Sequence, residues 1–178
     1  MRCIMKKLSN ATLVSLCFTV IFIFATHSEL NAQTLFTQQG DITAGGGLTL
    51  TTGVGSGGSG EIGINGNGFY AITDEIRAGL GISLFFGDFS PTQINIDGHY
   101  LFINENGLGV YGLAGLGYWR WTFDLGPFGG TVSTTTSGLN LGGGVEYDLG
   151  NFLLFGEAKL TTIGGTPFNI TGGIRLRF

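Results

Sequence analysis

From residue 40 to residue 178, apolar and polar side chains alternate with a period of two, and Gly, Asn, Asp and Pro interrupt the alternation repeatedly. Successive Cβ atoms of a strand point to opposite sides of its sheet, so this pattern marks strands with unlike faces. Eight strands are predicted, at 40–52, 60–73, 76–87, 92–103, 108–122, 138–148, 151–162 and 168–178. In the last, Phe168, Ile170, Gly172, Ile174, Leu176 and Phe178 share one face. Asn169, Thr171, Gly173, Arg175 and Arg177 share the other. The seventh sets Phe152, Leu154 and Leu160 against Glu157, Lys159 and Thr161, and the fourth sets Ile94, Ile96, Tyr100 and Phe102 against Gln93, Asn95, Asp97 and His99. The fifth is ambiguous: Val110, Ala114, Leu116 and Tyr118 read as one apolar face, but Tyr111, Leu113, Trp119 and Trp121 opposite are apolar too.

The connectors alternate in character. Asp74-Glu75, Asn104 to Gly107 and Leu149-Gly150 are short; Gly53 to Ser59, Asp88 to Pro91, Phe123 to Ser137 and Ile163 to Pro167 are longer. Pro91, Pro127 and Pro167 all fall in the longer set, as a sheet that needs every backbone donor requires. The Gly53 to Gly58 run has dinucleotide-loop spacing but opens no helix, and Asn169-Ile170-Thr171 is a sequon buried in a strand; neither carries a function.

Two folds produce such faces. A soluble sandwich turns its apolar face inward; a transmembrane barrel turns it toward lipid and keeps the polar face inside. Composition favours the barrel. Charged residues are 11% of the chain, against about 25% in ordinary soluble domains. After residue 32 the only Lys is Lys159 and the only Arg are Arg77, Arg120, Arg175 and Arg177, too few for a soluble exterior. The acidic balance, a formal net charge of −4, leaves no basic stripe for nucleic acid. Residues 1–32 read as a secretory signal peptide, with Arg2, Lys6 and Lys7 ahead of an apolar run from Ala11 to Ala25 and a small Ala32 at the cut. Cys3 and Cys17 lie within it, so the exported part has no disulfide or Cys metal site, and no metal-ligand cluster or cofactor is expected. Residues 33–39 are then a short lead, and 40–178 the barrel.

Val110-Tyr111-Gly112-Leu113-Ala114-Gly115-Leu116-Gly117-Tyr118 and the ending Gly172-Gly173-Ile174-Arg175-Leu176-Arg177-Phe178 resemble the OmpA/OmpX-type family of small outer-membrane β-barrels over residues 40–178. The resemblance implies an all-β, eight-stranded antiparallel up-and-down barrel in a Gram-negative-type outer membrane. It also implies that Gly172, Ile174, Leu176 and Phe178 form the signal read by the assembly machinery. The periplasmic wall-binding domain of full-length OmpA-like proteins has no counterpart in these residues.

An eight-stranded barrel has an interior just wide enough for side chains to fill. Asp41, Arg77, Asp97, His99, Glu146, Glu157, Lys159, Arg175 and Arg177 face it in this register and should pair, since buried charges persist only when paired. Glu157 is the expected partner of Arg175, and Asp41 that of Arg177. Tyr70, Tyr100, Phe102, Tyr118, Tyr147, Phe152 and Phe178, near strand ends, are expected in interfacial aromatic girdles. The expected role is structural or adhesion-like, through loops that contact a host or cell-surface ligand, in a monomer surrounded by outer-membrane lipid. Two alternatives stay open. One is a narrow, low-conductance pore gated by exchanging ion pairs. The other is a lipid-A-modifying enzyme built on His99, for which Ser83 is the sole candidate nucleophile and Asp97 a candidate partner; no catalytic residue is assigned on that basis.

Overall fold

The computed structural model describes residues 35–54, 59–86, 91–124, 130–163 and 166–178. The expected signal peptide, the run Gly55 to Gly58 and Pro127 lie outside them. Eight strands follow in order: β1 (Ile42–Val54), β2 (Ser59–Ala71), β3 (Ile76–Phe86), β4 (Thr92–Glu105), β5 (Leu108–Asp124), β6 (Thr131–Asp148), β7 (Leu153–Thr162) and β8 (Phe168–Arg177). Each pairs antiparallel with the next, and β1 pairs with β8 from Thr43↔Arg177 to Thr52↔Phe168. The sheet is therefore a closed barrel, and closure leaves no edge strand to template aggregation. Among the described residues no helix is long and apolar enough to cross a membrane.

The alternation becomes inside and outside. Leu48, Leu80, Ile96 and Leu139 on the outer face are more than half exposed, whereas Thr49, Asn95, Asn140 and Thr161 on the inner face are buried. In water this would be an inverted protein; in hydrocarbon it satisfies both solvents. The outward apolar run of β3, Ile76 to Phe86, rises roughly 34 Å along the strand, or about 25 Å at a tilt near 40°, which matches the apolar band of such barrels.

The tight turn between β4 and β5 is Asn106-Gly107, with φ of 54° and 75°. Both residues are left-handed, as a two-residue hairpin turn with the twist of its strands demands, and Asn and Gly are the residues that accept this. Pro91 and Pro167 stand just before β4 and β8, where no ladder donor is lost.

One expected loop is largely strand. β5 continues to Asp124 and β6 begins at Thr131, with register kept to Asp124↔Thr131. Phe123 to Ser137 therefore belongs mostly to a long hairpin. The reason is local. Thr131-Val132-Ser133-Thr134-Thr135 shows no apolar alternation and stands beyond the pairing of β6 with β7, yet β-branched Thr and Val favour extended backbone. β5 meets β4 no further out than Thr92↔Arg120, and β6 meets β7 first at Leu139↔Thr162. The hairpin beyond those positions stands clear of its neighbours among the described residues.

Candidate functional site: the barrel interior

Inward side chains stack in layers along the axis. At the short-turn end Phe36 is buried with Leu101, Tyr111, Leu113 and Leu153. Phe36 belongs to the short lead of residues 33–39, and its segment turns back across the mouth. Asn104 holds it there, accepting from Thr37 N at 2.6 Å and donating to Thr37 O at 2.9 Å. The Phe36 carbonyl accepts from Arg177, and Gly40 N donates to Ala71 O. Gly109 makes room for the ring: a Cβ there would lie 2.7 Å from Phe36 Cδ1.

The next layer is ionic. Arg77 and Arg175 come from strands on opposite sides of β1 and β2, and both reach Glu146 on β6. Arg77 Nη1 and Nη2 donate to the two Glu146 oxygens at 2.7 Å each, a bidentate fork, and Arg175 Nη1 contacts Glu146 Oε1. Glu157 lies 3.7 Å from Arg175 Nη2 and 3.4 Å from Lys159 Nζ, and accepts from the Tyr111 hydroxyl at 3.0 Å. Lys159 Nζ sits 2.7 Å from Asp97 Oδ2. The three cations Arg77, Lys159 and Arg175 thus face three carboxylates, Asp97, Glu146 and Glu157. Aromatic faces complete the cage. The Arg175 guanidinium lies 3.9 Å from the Phe155 ring centre and 4.7 Å from that of Phe69, and the Arg77 guanidinium lies 4.8 Å from that of Tyr111.

His99 is part of the cage. Its ring stacks on Tyr111 at 4.3 Å, its Nδ1 accepts from Arg77 Nε at 3.2 Å, and its Nε2 is 3.9 Å from Glu157. Asp97 binds Lys159 and Asn140 instead. Ser83 accepts from Asn65 Nδ2 and lies six positions along β3 from Arg77, the register partner of His99, or roughly 20 Å. Ser83, His99 and Asp97 do not assemble as a nucleophile, base and orienting acid.

Beyond the ions comes a neutral layer. Asn140 donates to Asn95 and Asp97, Thr161 donates to Asn140, and Gln93 donates to Asn95. The far end is aromatic: Trp119, fully buried, stacks on Phe85 at 5.5 Å and on Trp121 at 5.3 Å. These layers place the ambiguous face of β5 inside, with Tyr111 and Trp119 at opposite ends.

The structure separates two of the expected lumen residues from the rest. Arg177 and Asp41 are 3.5 Å apart at the short-turn rim, and Arg177 also holds Asp148 at 3.1 Å. The nearer carboxylate of Arg175 is Glu146, not Glu157. Sequence reasoning missed Phe36, Phe69 and Phe85 as interior residues, because an inward Phe is indistinguishable in pattern from a lipid-facing one; Phe155 shares the face of Glu157 and Lys159 in the alternation and is buried there. The available signal was glycine. A Cβ at Gly144 would lie 2.6 Å from Tyr111 Cζ, and one at Gly79 would overlap Phe69, so large inward rings announce themselves by the small residues opposite.

No family model and no curated protein matches the chain by sequence. Solved structures match by shape. Neisserial surface protein A has a TM-score of 0.68 at 20% identity, covering 79% of this chain and 100% of its own. The N-terminal β-barrel domain of Pseudomonas aeruginosa OprF gives 0.62 at 17%, with 79% and 98% covered. Ail, the attachment invasion locus protein of Yersinia pestis, gives 0.60 at 16%, with 79% and 100% covered. The fold is that of the small eight-stranded outer-membrane barrels. In a barrel of this kind the expected girdle is lopsided. Tyr70, Tyr100, Phe102, Tyr147, Phe152 and Phe178 are exposed on the outer face toward the short-turn end, and Tyr118 lies at the other, where Phe86 joins it. Gly172, Ile174, Leu176 and Phe178 lie in line on the outer face of β8.

Proposed function

We propose that this protein is exported by residues 1–32 and inserted in the outer membrane as a monomer. There it works as a structural and surface-contacting barrel rather than as a pore or an enzyme. The observation that carries this reading is the β5–β6 hairpin, which outreaches its neighbours on a barrel whose interior is packed from Phe36 to Trp119. Short turns face the periplasm in such barrels and the longer elements face out, so the hairpin projects from the cell. Its exposed Val132, Ser133, Thr134 and Thr135 offer hydroxyls and one apolar contact to a partner. The fold supports the same reading by analogy: Ail has been solved in complex with a heparin analogue, sucrose octasulfate. The line Gly172, Ile174, Leu176 and Phe178 supports delivery by the outer-membrane assembly machinery.

Both of the chain's Cys precede residue 33, so the thiol introduced by Ser133→Cys is unique in the exported protein. An impermeant maleimide should label it on intact cells, and the unboiled protein should run faster than the boiled one on SDS gels. A folded, heat-modifiable barrel whose introduced thiol is labelled only after lysis would refute the surface role.

A further inference from the structure

Arg120 is the cation the interior does not use. Arg77, Lys159, Arg175 and Arg177 each hold a carboxylate. Arg120 is exposed on the outer face of β5 and forms no ion pair among the described side chains. Its place along the barrel is specific. It pairs with Thr92 of β4 and Thr135 of β6. The next outward row toward the short turns is Ile94, Tyr118 and Ser137, and the row after that is Ile96, Leu116 and Leu139. On β4, β5 and β6 the outer face thus changes from hydroxyl to hydrocarbon at Arg120, in whose row β3 carries Leu84.

Directly below Arg120 the apolar rows enclose a groove of about 500 Å³, whose floor is the paired backbone of Gly117 and Gly138. We propose that Arg120 and this groove form a binding site for one phosphate-bearing lipid of the outer leaflet, with the phosphate on the guanidinium and an acyl chain in the groove. The orientation rests on the reading above, which puts the hairpin outside the cell. The guanidinium offers a planar fork that matches phosphate. Outward-facing Thr92 and Thr135 stand on either side to donate to the remaining phosphate oxygens. A soluble polyanion is disfavoured: it needs several cations in a row, and the chain carries a net charge of −4 with Arg120 the one Arg without an ion pair among the described side chains. A single exposed guanidinium holds a free phosphate weakly. A lipid arrives at headgroup height with its chain already in the groove, which raises its effective concentration at Arg120.

The test uses the mature chain folded in detergent micelles with equal amounts of diphosphoryl lipid A and its fully dephosphorylated form, read by native mass spectrometry. The wild type should retain one phosphorylated lipid with roughly tenfold preference, and Arg120→Gln should bring that preference below about twofold, as loss of one charge-assisted fork implies. Arg120→Lys should keep part of it. Ser137→Trp, which leaves the charge and fills the groove, should lower retention of both lipids. Equal retention of the two lipids by the wild type, or an unchanged preference in Arg120→Gln, overturns the proposal. So does stoichiometric binding of inorganic pyrophosphate as tight as that of the lipid, since the groove then contributes nothing. Heat-shifted mobility is recorded for every sample. Intact barrels without selectivity sink the lipid site alone, whereas absence of the shift sinks the membrane-barrel reading.

Discussion

Glu146→Gln removes the charge that holds two guanidiniums together while keeping the volume of the side chain. Glu146 is fully buried, takes two 2.7 Å bonds from Arg77 and also contacts Arg175. Hydrogen bonds to charged groups are each worth about 1.5–3 kcal/mol, so the two from Arg77 set the scale of the loss. The Gln amide keeps one acceptor, and Glu157, 3.7 Å from Arg175, takes up part of the stranded charge. The net loss should be about 3–5 kcal/mol, the usual cost of breaking a buried pair from one side. Glu157→Gln should cost only about 1–2 kcal/mol, because its ionic contacts are 3.4–3.9 Å long and only the Tyr111 bond is short. Both are read from equilibrium urea unfolding of the barrel in detergent, followed by tryptophan fluorescence and by gel mobility. Adding Arg175→Met to Glu146→Gln should restore part of the loss, since an unpaired buried cation is worse than an apolar side chain of similar volume. A Glu146→Gln barrel within about 0.5 kcal/mol of wild type, or a Glu157→Gln barrel that is the weaker of the two, refutes the assignment of Glu146 as the centre of the network.

Phe36→Ala should lower stability by about 3 kcal/mol in the same assay, as for loss of a buried ring, and should expose the 33–40 segment to protease while the barrel stays intact. Gly144→Val sets a side chain against the Tyr111 ring and should destabilise by about 1–3 kcal/mol through overpacking; Gly156→Ala, whose Cβ meets nothing within 4 Å, is the neutral control. In planar bilayers neither the wild type nor Trp119→Ala should give steady single-channel steps, because the ionic and amide layers remain below the aromatic end; regular steps from the wild type would refute the packed interior.

Much of the fold was legible in the sequence because a membrane barrel writes it in period two. Each strand meets hydrocarbon on one face, so a one-residue error in register would put a whole row of side chains in the wrong solvent. The pattern fails where that contrast vanishes. The Thr-rich start of β6 stands beyond its pairing with β7, so its extension to Thr131 leaves no trace in apolar alternation. The Phe36 segment crosses the mouth instead of lining the wall, and a single buried ring has no period at all. The fifth strand reads as ambiguous because its inward Tyr111 and Trp119 belong to the two apolar ends of the interior, while Gly115 and Gly117 lie in the polar middle.

The ion pairs were legible as a set and in part as partners: Arg177 meets Asp41 and Arg175 lies 3.7 Å from Glu157 as expected, while Glu146 as the shared partner of Arg77 and Arg175 was not. Facing tells which charges are inside, and the demand for neutrality tells that they pair, but the choice of partner depends on depth across the lumen. Glu157 and Arg175 are on neighbouring strands but four positions apart in register, Glu157 pairing with Thr171 and Arg175 with Leu153, roughly 13 Å along the strand, and a side chain on an adjacent strand stands roughly parallel to its neighbour. A long side chain reaching across a narrow cylinder meets carboxylates from the opposite wall more directly. Glu146 on β6 is such a residue for Arg77 on β3. The inward glycines make this crossing possible: by yielding space opposite Phe69 and Tyr111, they let side chains from a few strands fill the axis. The same economy explains Arg120. With each of the three interior cations holding an interior carboxylate and Arg177 held at the rim by Asp41 and Asp148, the remaining cation sits outward at the boundary of the apolar belt. A guanidinium placed there has lipid phosphate as its most available counterion.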